Sequence, residues 1–293
     1  MKIEIEIGND EEKKARKKEI IYFLSLIGIK IIKKLNIKKI IVSSDVSKTV
    51  NKLRNTDNYK SVRYMVECQA TIIIGKNNER YIVFSSFWNN CLDQNLRFFF
   101  FSHEIHHLLD DLFLPKIKND CTAKSQYLGI LRQMYSEYSA NRFAIELFKK
   151  PLNEIVRNCF EILYDGFFNP LQNPNNFYNP LKIEIIRFRF SSNIDEFLKR
   201  SLVIIEPAYT YLSYIFAYRD SLDFIAKKFN EANKDLFINE CTYELFNEFK
   251  IWYESNKKIN FEDGLEEIQK FLPFLSLSFQ DVTEGLYVEV LDI

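Results

Sequence analysis

The chain has 293 residues, 47% of them hydrophobic and 15% aromatic, and its 40 basic side chains balance its 40 acidic ones. That composition excludes a disordered or collagen-like chain, and net neutrality removes the electrostatic footprint of a general nucleic-acid binder. The seven glycines form no GxGxxG or P-loop, and the five scattered cysteines form no CxxC pair, so phosphate cradles, disulfide frameworks and thiolate zinc knuckles are all set aside.

The first residues, MKIEIEIGNDEEKK, lack the apolar core of a signal peptide, and the apolar run from Ile20 to Ile29 is too short to span a bilayer. A cytoplasmic protein that does not engage membranes is the expectation. IEIEI at 3–7 alternates with period two and predicts a strand. Asn9 or Asp10 then caps a helix running through EEKKARKKEIIYFLSLIGIKIIKKL, and Lys39 to Val42 predicts a second strand. The basic stretch KIIKKLNIKK reads as a solvated face of that helix. Alternation from Val62 to Cys68 predicts a half-buried strand. ATIII and YIVFSSF around GKNNER predict a hairpin, completing a small sheet by about residue 88.

From about Asp93 to Phe113 the period changes, and the segment predicts a helix apolar nearly all round. A second long helix covers roughly Ala123 to Lys149 and ends at Pro151. Three Asn-Pro steps between about Asp165 and Pro180 mark a boundary between a domain at 1–165 and a mainly helical one at 181–293. In the latter, KIEIIRFRF reads as one strand and LYVEV as a last one. The fold class expected is α+β.

All three histidines of the chain fall in His103-Glu104-Ile105-His106-His107. On a helix, His103 and His107 stand one turn apart on one face and can converge on one ion, while Glu104 is rotated about 100° beside them. Neutral imidazoles at that spacing suit zinc, and a carboxylate so placed can act as a general base. A third ligand must be a carboxylate or a thiolate, because no histidine is left. Glu137 is a candidate: it shares a helix face with Ile130, Met134, Asn141 and Phe148, an apolar stripe in which a carboxylate needs a partner. His106 points off the metal face and reads as a packing or supporting residue. Asp110 and Asp111, one turn beyond His107, read as a solvated helix end in preference to support for a ligand.

HEIHH followed about thirty residues later by Glu137, Ala140-Asn141, Phe143-Ala144, Leu147-Phe148 and Pro151 resembles the gluzincin metallopeptidases of the ImmA/IrrE family over residues 10–151. The resemblance implies a zincin-like minimal domain with His103, His107 and Glu137 as zinc ligands and Glu104 as general base and acid. It also implies that Asn141 supports a ligand ring by hydrogen bonding. The function so implied is an intracellular zinc metalloendopeptidase acting on a protein or peptide substrate, for instance a repressor. The rival expectation is a partner-binding regulatory module with a structural or idle zinc site. The oxyanion stabiliser, the oligomeric state and the role of residues 181–293 are left open by the sequence.

Overall fold

The computed structural model describes residues 1–55, 70–75, 79–117, 123–147, 178–229, 240–255, 277–282 and 285–290. The expected strand at Val62 to Cys68 and most of the Asn-Pro boundary lie outside them. The chain divides into two compact units, Met1–Phe113 with Phe143–Lys149, and Leu114–Arg142 with Lys150–Ile293.

The first unit is built on a four-stranded mixed sheet, β1 (Lys2–Ile5), β2 (Ile37–Val42), β3 (Ala70–Ile74) and β4 (Arg80–Phe84), in the order β1-β2-β4-β3. β2 runs parallel to β1 and β4, and β3 pairs antiparallel with β4 as the hairpin spacing predicts. The first connection is α1 (Asp10–Ile27) and α2 (Ile29–Lys34). Asn9 caps α1 in a reciprocal box: its Oδ1 accepts from the Glu12 amide at 3.0 Å and its own amide donates to Glu12 Oε2 at 2.8 Å. The single helix expected here breaks at Gly28, whose φ of +106° is strained for any residue with a Cβ.

β2 from Ile40 to Val42 and β4 from Tyr81 to Phe84 are apolar and buried because helices cover both faces. On one face Ile41, Ile73, Tyr81 and Val83 pack with Val50 of α3 (Val46–Arg54), a helix the period reading did not find. On the other, Phe84 stacks on Phe101 at 5.6 Å and meets Trp88 of α4 (Ser86–Asn90) at 4.4 Å. Phe23 of α1 joins Phe98 and Phe101 of α5 (Gln94–Phe113) in the same aromatic core. Burying a side chain of this size contributes on the order of 2 kcal/mol, so α5 is held firmly against the sheet.

The second unit is mainly helical. It contains most of α6 (Ala123–Glu146), then α7 (Tyr178–Ser191), α8 (Ile194–Phe229), α9 (Glu240–Ser255) and a hairpin of β5 (Leu277–Val282) and β6 (Gly285–Val290). β6 contains the expected LYVEV strand. KIEIIRFRF is helical in α7, not a strand: Leu181, Glu184 and Ile185 are buried and Phe188 half-buried, the i, i+3, i+4, i+7 spacing of one helix face, while Ile183, Ile186 and Phe190 face outward. α6 packs through Tyr135 and Tyr138 against Phe249, Trp252 and Tyr253 of α9, with ring centroids 4.5–5.8 Å apart. Tyr209 and Tyr218 of α8 are buried, as a packing surface requires. Among the described residues no helix is long and apolar enough to cross a membrane.

Candidate metal centre

The start of α5 is fixed before the histidines are reached. Asp93 accepts from the Asn95 amide at 2.7 Å, and the Arg97 guanidinium lies between Glu19 of α1, at 2.5 Å, and the Cys91 carbonyl. Arg16 shares Glu19 and donates to the Asn89 main-chain oxygen at 2.8 Å, while Trp88 Nε1 donates to the Arg97 carbonyl at 3.0 Å. A rigid helix fastened at one end sets the rotation of every side chain further along it.

Two turns on, His103 is buried and His107 half-buried. Their rings stand edge to face with centroids 4.5 Å apart, and the two Nε2 atoms approach to 2.9 Å. The carboxylate of Glu137, half-buried on α6, completes a group in which one ligand atom from each of His103, His107 and Glu137 lies within 4.8 Å of the others. This triad could bind a metal ion. Its donor set fits zinc, which takes two imidazoles and a carboxylate in three-ligand sites that keep a position open. Two nitrogens about 2.05 Å from a tetrahedral ion stand about 3.3 Å apart, so the observed convergence needs only a small opening.

Glu104 is half-buried beside the triad on the adjacent helix face. His106 leaves the triad face as expected and stacks edge-on against Phe143 at 4.8 Å. Asn141 is buried one turn beyond Glu137, and its Nδ2 donates to the Glu137 main-chain oxygen at 2.8 Å. Its described bond is therefore to the backbone of its own helix rather than to an imidazole. Of the stripe read around Glu137, Ile130, Met134 and Asn141 are buried, as is Ala144 on the same face, and Phe148 lies outside the described residues.

One expectation is reversed. Asp110 is not part of a solvated helix end but is 6% exposed, with its carboxylate toward the histidine rings. Asp111 is only half-buried and turns to Arg80, 3.8 Å away. Spacing does not separate them, since Asp110 stands at i+3 and Asp111 at i+4 from His107; packing across elements does. The period reading treated the pair together because both follow the motif.

Comparison of the chain with protein-family models, with curated proteins and with solved structures finds no match.

Proposed function

We propose that the chain is a zinc metallopeptidase of the gluzincin type, hydrolysing peptide bonds of a protein substrate. The observation that carries the reading is the convergence of His103 Nε2, His107 Nε2 and the Glu137 carboxylate, with Glu104 next to the first ligand in sequence. A zinc ion held there would supply Lewis-acid polarisation of a carbonyl and would lower the pKa of its water toward about 7.

The rest of the chemistry falls to the chain itself. Glu104 takes the proton of the attacking water and hands it to the departing amine nitrogen, so one carboxylate serves as base and then acid. Among the described residues β3 is an edge strand of the sheet and packs against α5, and an extended peptide would pair along that edge. A site that were only structural would have no use for a carboxylate beside the ion, which favours the enzyme over an idle binding module. The ImmA/IrrE resemblance supports the same assignment and points to a regulatory protein as the substrate.

Elemental analysis of purified wild type beside His103→Ala and Glu137→Ala tests the triad: the expectation is about one zinc per wild-type chain and a deficit in both variants. Wild type that binds no zinc even after reconstitution overturns the reading. Glu104→Gln should keep its zinc and lose roughly 10²–10⁴-fold in peptide hydrolysis.

A further inference from the structure

Asp110 has no place in the ligand set, yet it is the less comfortable of the two carboxylates at this end of α5. It lies in the last turn, where a negative charge meets the negative end of the helix dipole, and it is 6% exposed. A buried carboxylate in that position needs cationic or hydrogen-donating neighbours. Two imidazole nitrogens lie near its oxygens: His106 Nδ1 is 3.3 Å from Oδ1, outside hydrogen-bond geometry, and His107 Nδ1 is 3.9 Å from Oδ2.

The consequence for His107 concerns its two ring nitrogens. Nε2 faces His103 Nε2 at 2.9 Å, on the triad side, so Nδ1 faces Asp110 on the other. A carboxylate behind Nδ1 favours the tautomer with the proton on Nδ1, which leaves the Nε2 lone pair for a ligand bond. At 3.9 Å the contact is electrostatic, and a movement of about 1 Å would bring it to hydrogen-bond length. The other Asp110 oxygen lies beside the His106 ring, which packs edge-on against Phe143.

We infer that Asp110 is a positioning residue for the proposed metal ligand His107. The inference rests on the proposed zinc site. It concerns a residue that touches neither the ion nor the substrate.

The test is zinc affinity, measured by competition with a chromophoric chelator, for wild type, Asp110→Asn and Asp111→Asn. Asp110→Asn keeps the shape and removes the charge, and should weaken zinc binding about 10–100-fold. Asp111→Asn, turned toward Arg80, should stay within about threefold of wild type, below the range of such supporting contacts. Asp110→Asn within about that same threefold would overturn the inference while leaving the zinc site standing. Wild type without zinc affinity would instead remove the site, and the inference with it.

Should Asp110→Asn not fold, the wild type decides alone. With only three histidines in the chain, a long-range ¹H–¹⁵N spectrum of histidine-labelled, zinc-loaded protein resolves each ring. The expectation for His107 is a protonated Nδ1 whose hydrogen exchanges slowly. A His107 Nδ1 hydrogen that exchanges as in free imidazole, or ligation through Nδ1, would overturn the proposal.

Discussion

Glu19 in the first unit and Asp220 in the second occupy the same electrostatic position on different scaffolds. Glu19 lies between Arg16 and Arg97 and fastens the start of α5 to α1. Asp220, on α8, lies 3.0 Å from Arg142 of α6 and 2.5 Å from Lys250 of α9, and also accepts from Tyr138 Oη at 3.1 Å. In each case one buried carboxylate meets two cations on separate helices, and one of those helices carries a proposed ligand. The difference is in how dry the clamp is. The carboxylates are similarly dry, Glu19 10% and Asp220 6% exposed, but the cations differ: Arg97 and Arg16 are 9% and 20% exposed, whereas Arg142 and Lys250 keep 24% and 34% of their side chains in contact with water. Solvent can take over from a lost carboxylate better for the cations around Asp220 than for Arg97 beside Glu19.

Breaking the drier clamp should therefore cost most. Glu19→Ala leaves a buried guanidinium without its carboxylate and should destabilise the protein by about 3–4 kcal/mol in denaturant titration. Asp220→Ala should cost about 2 kcal/mol, because its two cations can turn to solvent. Equal losses would show that exposure does not separate the clamps.

The smallest effect sharpens the comparison by adding pH. Tyr138→Phe removes one hydrogen bond to Asp220 and should cost about 1 kcal/mol at neutral pH. Burial, with the Asp220 carboxylate as the second cause, pushes the Tyr138 phenol well above its ordinary value of 10.0. A raised folded-state pKa contributes stability that is complete below pH 10 and is lost as the pH rises beyond it, because the unfolded phenol ionises first. The gap between wild type and Tyr138→Phe, followed by denaturant titration from pH 8 to 11, should narrow at the alkaline end. A constant gap would mean that the phenol ionises as easily folded as unfolded.

Much of the first unit could be read directly from the chain. The Asn9 cap, the ATIII–YIVFSSF hairpin and the α5 helix all follow from short-range rules, in which a residue's role depends on neighbours within four positions. The HExxH spacing belongs to the same class, since one helical turn is enough to bring His103 and His107 together. α3 was less accessible: its apolar face is only Val46, Val50 and Leu53, three residues whose burial depends on the sheet they cover. KIEIIRFRF misled for the opposite reason. Its apolar residues satisfy parts of both periods, and the helix packing that buries Leu181 and Ile185 decides between them.

By itself, then, the amino-acid sequence determined the pair of imidazoles, the carboxylate beside them and the strands and helix that carry them, because helix and strand periodicity are local. Only the tertiary structure decided that Glu137, thirty residues from His107, comes within 4.8 Å of both imidazoles, where the three could bind a metal ion, and that Asp110 is buried while Asp111 is not. Those outcomes depend on which side chains meet across elements distant in sequence, and on how much water each carboxylate keeps, which no spacing along one helix specifies.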